Sequence, residues 1–273
     1  MKRAAPPVGT PFQWRGEECG DDGIRWIEAS LPGAVAAFTT RLGGVSDGAY
    51  AELNLGILTE DDPVSVARNR DLVAAALERD PHGIAMGLQV HGSGVQVHET
   101  RPAPSPYASR GANLLEADAQ LTDRPDVTPL VLVADCLPLV LCVPGAVGAV
   151  HCGWRGVAAG IVPAALESLC RLGGAEPSHA FAALGPGIGP CCYEVGEEVA
   201  AAFRERGLDD AIDGRRLDLP RAIRSELAFG GVDPGAIADV GICTSCNPEL
   251  FFSHRRDGVT GRQAGIVWLK PPI

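Results

Sequence analysis

Pro129-Leu130-Val131-Leu132-Val133-Ala134-Asp135-Cys136-Leu137-Pro138-Leu139-Val140-Leu141-Cys142-Val143-Pro144-Gly145-Ala146-Val147-Gly148-Ala149-Val150-His151 is the stretch on which the fold turns. Its apolar runs are short and are bounded by Asp, Pro and Gly. Residues 130–134, 139–143 and 147–151 therefore read as three strands. The first two carry no polar residue, the pattern of strands covered on both faces. Asp135, Pro138 and Pro144 interrupt the run, so it is not a membrane span.

Working outward, residues 117–122 read as a strand, and residues 157–172 as a helix that Gly173-Gly174 ends. Residues 180–184 form another buried strand before the rigid loop Gly185-Pro186-Gly187-Ile188-Gly189-Pro190. Helices follow at 194–206 and 218–229, and strands at 237–243 and 264–269. Upstream, residues 35–40 read as a strand and 41–46 as a glycine turn. Asp62-Pro63 opens a helix through 79, with Val66, Val73 and Leu77 at helical spacing. Residues 88–99 alternate around Gly92-Ser93-Gly94, which predicts a hairpin. Residues 101–109 hold three prolines and form a loop, and residues 1–30 hold a strand or two. Strands and helices do not alternate regularly. The expectation is one mixed α/β (α+β) domain over residues 1–273.

Composition narrows the function. Of 273 residues, 46% are hydrophobic and 21% charged, which excludes disorder as the main state. The charge is 23 − 34 = −11, which argues against a basic nucleic-acid stripe or a polybasic membrane anchor. Only Lys2 and Lys270 are lysines, so arginine is the default cation here and a weaker pointer to a bound anion. Residues 1–7 have no apolar stretch after Lys2-Arg3, unlike a secretory signal. The expected location is the cytoplasm. The nine cysteines then read as thiols, ligands or nucleophiles.

Three segments carry candidate chemistry. Gln89-Val90-His91-Gly92 puts a histidine at a hairpin tip. Ala134-Asp135-Cys136 puts a thiol between two buried strands. His151-Cys152-Gly153-Trp154-Arg155-Gly156 puts a histidine at a strand end before a helix. Strand ends present side chains rigidly to a cleft. His91, Cys136 and His151 thus form an N,S,N set, and three protein ligands with one open position is the pattern of catalytic zinc. The spacings of 45 and 15 residues are not a local signature. The same residues also fit a metal-free site, with Cys136 as nucleophile, His151 as base and Asp135 or Gln89 as orienter.

Cys191-Cys192 and Cys243-Thr244-Ser245-Cys246 together offer four thiolates, although adjacent cysteines are poor ligand spacing. The loop at 185–190 resembles an anion-binding glycine loop, but Pro186 and Pro190 remove donors and a plain turn is the simpler reading. Arg255, Arg256 and Arg262 cluster near the last strand, and Arg41 and Arg155 sit beside glycine turns. Arginine suits phosphate bidentately. His98 and His254 read as packed or exposed residues, and His82 and His179 as surface residues.

These motifs, with Thr39-Thr40-Arg41-Leu42-Gly43-Gly44-Val45-Ser46, Leu53-Asn54-Leu55-Gly56 and Cys192-Tyr193-Glu194-Val195, resemble the YfiH-like family. That family is also called the laccase-domain or polyphenol oxidase family and includes the peptidoglycan editing factor. The likeness runs in order over residues 35–269. It implies a layered fold of central mixed sheets flanked by helices, similar to putative cysteine hydrolases. It implies zinc at His91, Cys136 and His151, with these three as the catalytic residues. It also implies a purine nucleoside phosphorylase acting on adenosine, inosine and methylthioadenosine, with adenosine deaminase activity. Phosphorolysis needs an anion site, for which Arg41, Asn54, Gln89, Arg155 and Arg255 are the substrate and phosphate candidates. Deamination needs hydroxide at C6, which an open zinc position generates. Cys152 departs from the family's usual alanine and adds a thiol beside the site.

The laccase name implies a cluster of many histidines. This chain has six histidines and no His-x-His, which does not fit a four-copper oxidase. A single copper at the same three donors, acting on phenols, stays open as an alternative. So do a metal-independent Cys–His hydrolase that edits peptidoglycan precursors and a protein that only binds a nucleotide or metal. The expected partners are purine nucleosides and phosphate, with no nucleic acid and no membrane. The sequence identifies no protein partner.

Overall fold

The structure is a computed structural model that describes residues 10–16, 23–109 and 113–271. The expectations for residues 1–7 and Cys19 lie outside the described residues. In chain order the strands are β1 (Phe12–Arg15), β2 (Trp26–Leu31), β3 (Ala34–Thr39), β4 (Ile84–Ala85), β5 (Val95–Val97), β6 (Ala119–Thr122) and β7 (Thr128–Val133). They continue with β8 (Leu137–Val143), β9 (Ala146–Cys152), β10 (Phe181–Leu184), β11 (Ile212–Asp213), β12 (Arg216–Leu217), β13 (Ile237–Asp239) and β14 (Gln263–Leu269). The α-helices are α1 (Pro63–Ala76), α2 (Trp154–Ala158), α3 (Ile161–Gly173), α4 (Glu197–Glu205), α5 (Leu219–Phe229) and α6 (His254–Asp257).

Two six-stranded sheets result, in the orders β1-β2-β3-β14-β7-β4 and β13-β10-β8-β9-β6-β5. Both are mixed. β4 runs parallel to β7, β13 to β10 and β5 to β6, and the other pairs are antiparallel. The fold is thus the mixed α+β arrangement expected from the sequence.

The strands rich in apolar residues lie at the middle of the stack. On β8, Val140 and Cys142 face the first sheet, where they meet Phe38, Val131 and Val267. Leu137, Leu139 and Leu141 point the other way, onto Val162, Leu166 and Leu169 of α3 and Ile223 of α5. The outer face of the first sheet packs Leu130 and Ile266 against Leu53, Leu55 and Val73. Helices therefore cover both outer faces, and a strand such as β8 needs apolar residues at every position. Burying a leucine fully contributes about 1.5–3 kcal/mol, so this double coverage is where the stability concentrates.

Consecutive strands β7 and β8 belong to opposite sheets. The chain crosses between them at Ala134-Asp135-Cys136, where Asp135 adopts φ 93°. A non-glycine residue in that region is uncommon and marks a built corner. The side chain of Asp135 holds the corner, accepting from Thr244 Oγ1 and from the Arg255 backbone N–H, each at 2.6 Å.

Four local expectations change. Residues 88–99 do not form a hairpin. Only β5 is a strand there, and its partner is the non-local β6, in parallel. The Val90–Gly92 amides donate to the Asp118 carboxylate instead of to a ladder. The helix expected at 157–172 is split into α2 and α3 by Gly160, at φ 86°. The helix expected from 194 begins at Glu197, because the Val195 N–H donates to the Arg215 carbonyl. The strand expected to 243 ends at Asp239, shortly before Gly241 turns at φ 66°. Among the described residues no helix is long and apolar enough to cross a membrane.

Candidate metal centre and substrate cleft

His91, Cys136 and His151 converge from three separate segments. Their ligand atoms all lie within 4.8 Å of one another. The two imidazole rings meet edge to face, with centroids 4.8 Å apart. His151 comes from the end of β9, on the face turned toward the other sheet. Cys136 leaves the Asp135 corner just before β8, and Pro138 of β8 pairs with His151 in the ladder. His91 sits in a loop at φ 60°, a conformation that ordinary residues rarely adopt.

Asp118 explains how that loop is held. Its fully buried carboxylate accepts from the amides of Val90 at 3.1 Å, His91 at 3.0 Å and Gly92 at 2.9 Å. It also bonds His151 Nδ1 at 2.7 Å. One carboxylate therefore fixes two of the three donors. It leaves His151 Nε2 free to face the thiol. Burial resists ionisation of Asp118, and the bonds from His151, Gly92 and Val90 outweigh it and hold the carboxyl below its usual range. Asp118, not Asp135 or Gln89, is the orienter of the site. Sequence reasoning missed it. The available signal was an acid immediately before the fully buried strand β6.

Burial also resists ionisation of Cys136, but His151 and His91 outweigh it and bring the thiol down to about 6. Burial opposes the charge on His151 as well. Cys136 and Asp118 reverse that and push the imidazole up to about 9. Gly153 is required by the packing here. A Cβ on it would lie 2.8 Å from His91 Cδ2 and 3.1 Å from Cys136 Sγ. Cys152, one step along β9 from His151, points the opposite way into the core beneath α3. Burial pushes its thiol well above the ordinary range. The extra thiol does not reach the centre.

The donor set suits a borderline-soft divalent ion. Two imidazoles and one thiolate satisfy zinc, and all three donors line a cleft of about 510 Å³ on one side. Among the described residues, the only candidate ligand group containing histidine has two of them, too few for a multinuclear copper cluster. Ile57, Met86, Leu114 and Leu132 supply apolar wall, and Arg155, Arg255 and Arg262 supply cations. Arg155 stacks over Trp154 at 4.3 Å and Arg255 over Tyr193 at 5.1 Å. Arg262 Nη1 donates to the carbonyls of Thr260 and Gly261.

The structure brings only part of the expected anion set to this cleft. Gln89 lines it, tied to Leu132 by a pair of hydrogen bonds of 2.7 and 2.8 Å. Arg41 does not line it. Its guanidinium donates to the carbonyls of Ala51 and Pro248 and lies 4.7 Å over Phe252. Asn54 is fully buried and stitches the adjoining loop, donating to Thr59 and Asp61 and accepting from Gly56 and Arg262 amides. The glycine loop at 185–190 is a turn rather than an anion cradle. The amides of Gly185, Gly187 and Ile188 donate to backbone carbonyls, and Gly189 N–H to the Cys243 thiol. His98 is buried against Gln120, while His82 and His179 are exposed. Arg262, from the arginine cluster expected near the last strand, lines the cleft, and so do His254 and Tyr193, which the sequence reading did not place there.

The family model described as multi-copper polyphenol oxidoreductase laccase matches residues 35–270. A purine nucleoside phosphorylase of Deinococcus radiodurans is 42% identical over 241 residues, covering 85% of this chain and 88% of that protein. The crystal structure of YlmD from Geobacillus stearothermophilus is similar with a TM-score of 0.84 at 33% identity, covering 96% of this chain and all of that one. A YfiH protein of Bacillus licheniformis gives a TM-score of 0.84 at 31% identity, covering 93% of this chain and 99% of its own.

Proposed function

The chain belongs to the multi-copper polyphenol oxidoreductase laccase family, in its YfiH-like group, and from that premise we propose that it is a purine nucleoside phosphorylase. The observation that carries this reading is the pairing, in one cleft, of a His–Cys–His floor with three guanidinium groups on the wall. The cleft volume of about 510 Å³ suits a nucleoside beside a phosphate. Adenosine, inosine and methylthioadenosine are the proposed substrates.

In phosphorolysis a phosphate oxygen forms a bond to C1′ of the ribose. The bond from C1′ to the purine nitrogen breaks, and its electron pair leaves with the base. The purine nitrogen takes up the proton that the attacking hydrogen phosphate gives up, so the products are free purine and ribose 1-phosphate. Arg155, Arg255 and Arg262 are the groups placed to hold the phosphate. Tyr193 and Trp154, each already stacked by an arginine, orient those cations. Met86, Leu114 and Leu132 offer an apolar flank for the purine. His91, Cys136 and His151 are the residues that would hold zinc, with Asp118 fixing His151. A bound zinc ion supplies Lewis acidity at the floor of the cleft. Deamination of adenosine is the proposed second activity of the same centre.

The experiment is adenosine turnover by zinc-loaded protein with and without phosphate, separating adenine, inosine and ribose 1-phosphate. Adenine with ribose 1-phosphate, only when phosphate is present, is the expected result. Inosine without phosphate reports the deaminase. Cys136→Ser is expected to lower phosphorolysis by about 10²-fold or more. Full phosphorolysis by that variant would sink the reading.

One observation favours a second reading. Cys136, His151 and Asp118 lie in the order of a thiol nucleophile, its base and an orienting acid, and the thiol is already brought down to about 6. A metal-independent hydrolase of peptidoglycan precursors would use them so. Absence of purine turnover in fully zinc-loaded protein would move this reading to first place. Copper loading with a phenol as substrate tests the single-copper oxidase in the same series.

A further inference from the structure

A second group of thiols lies outside the His–Cys–His floor. Cys191 and Cys192 sit on the loop before α4. Cys243 and Cys246 sit on the loop after β13. These two pairs are separated by some fifty residues of chain, yet all four sulfurs lie within 4.8 Å of one another. Cys246 Sγ is 3.5 Å from Cys191 Sγ and 3.3 Å from Cys192 Sγ.

These distances select among the uses of four thiols. A disulfide would need sulfurs about 2.05 Å apart and a unique partner for each. Here Cys246 is shared almost equally between two neighbours. A tetrahedral ion with metal–sulfur bonds of about 2.3 Å places its sulfurs roughly 3.8 Å apart, which is the scale of this cluster. The span also closes on a single ion and is too tight for the four anchoring thiolates of a multi-iron cluster.

The backbone around the sulfurs is built. Gly187 N–H donates to Ile242 O at 3.3 Å and Thr244 N–H to Gly187 O at 3.0 Å, so the loops are laced together beneath the thiols. Gly189 N–H donates to Cys243 Sγ at 3.3 Å, which fixes that sulfur against the first loop. Arg216 Nη1 donates to Pro190 O at 3.1 Å and Cys191 O at 2.8 Å. Arg256 Nη1 donates to Thr244 O at 3.0 Å and Ser245 O at 3.3 Å. A guanidinium therefore clasps each loop by its backbone carbonyls, that of Arg256 being itself held by Asp257.

We propose that Cys191, Cys192, Cys243 and Cys246 bind one zinc ion as a structural four-thiolate site that clamps two loops of the cleft wall. Each thiol binds as thiolate and releases its proton to solvent. Four protein sulfurs leave no open position, so this ion is structural. The loops it joins are functional. One carries Ile188 and Tyr193, and the other leads into His254 and Arg255, all of which line the cleft. Thr244, inside the second cysteine pair, bonds Asp135 beside Cys136.

The test counts zinc in the full-length chain. His91→Ala with His151→Ala removes two donors of the floor site. Native mass spectrometry of that variant, loaded with zinc alone, is expected to show one ion per chain. X-ray absorption at the zinc edge is expected to show four sulfurs at about 2.3 Å and no nitrogen. Independently, Cys243→Ser with Cys246→Ser in the otherwise wild-type chain is expected to lower the zinc count by one. That second arm stands even where the histidine variant does not fold. An unchanged count, a nitrogen-containing shell in a folded histidine variant, or a disulfide among the four cysteines under reducing conditions overturns the assignment.

Discussion

The His91–Cys136–His151 floor and the Cys191–Cys192–Cys243–Cys246 cluster gather donors in opposite ways. The floor takes Cys136 and His151 from a corner and a strand end locked into two sheets, with Asp118 holding the third donor in place. Its donors are mixed, and one side is left to the cleft. The four-cysteine cluster takes its donors from two loops, and all of them are sulfur. The contrast teaches where chemistry is expected. Rigid strand ends with an open side suit reaction, and closed sulfur cages on loops suit stapling.

The sharpest way to break that comparison is thiol reactivity in chelator-treated protein. Cys136 has its pKa lowered to about 6, so its thiolate forms as pH rises through that value. Its alkylation rate is expected to climb to a plateau above about pH 6. Cys152, buried and pushed upward, is expected to remain unmodified through neutrality. Mass spectrometry of the alkylated sites across pH checks both. A Cys136 midpoint near the ordinary thiol value of about 8.5 would remove the special status of the floor.

Asp118→Asn probes the support beneath the floor. It removes the charge facing His151 Nδ1 and weakens the anchor of the Val90–Gly92 amides. Loss of such an outer partner is expected to lower zinc affinity or turnover by about 10–100-fold. Competitive zinc titration beside steady-state rates measures it. Affinity and rate both at the wild-type level would mean that the corner and the strand end alone position the donors.

The smallest expected effect separates two kinds of arginine. Arg155→Ala is expected to raise the KM for phosphate about tenfold, the loss of roughly one charge-assisted contact. Arg41→Ala is expected to leave that KM alone and lower the unfolding midpoint, because its donors serve backbone carbonyls. A rise in phosphate KM for Arg41→Ala, with Arg155→Ala silent, would redraw the anion site.

Much of this was legible locally. The apolar runs of β7, β8 and β9 and the break at Asp135 appear within one short stretch, because alternation and chain-breaking residues act between neighbours. The segment around Gly92 differs from its expected hairpin for the complementary reason. Residues 88–99 alternate as a hairpin would, but β5 found its partner in β6, and nothing local records that pairing.

The sequence by itself determined the kinds of donor, the places of Cys136 at a corner and His151 at a strand end, and the mixed layering that follows from strands apolar on both faces. Tertiary structure alone decided which acid orients His151, that Arg155, Arg255 and Arg262 face the cleft while Arg41 does not, and that two distant cysteine pairs meet. The physical reason is range. Periodicity and turn chemistry are set by adjacent residues, whereas a site is set by which distant segments close on one another, and that depends on packing summed over both sheets.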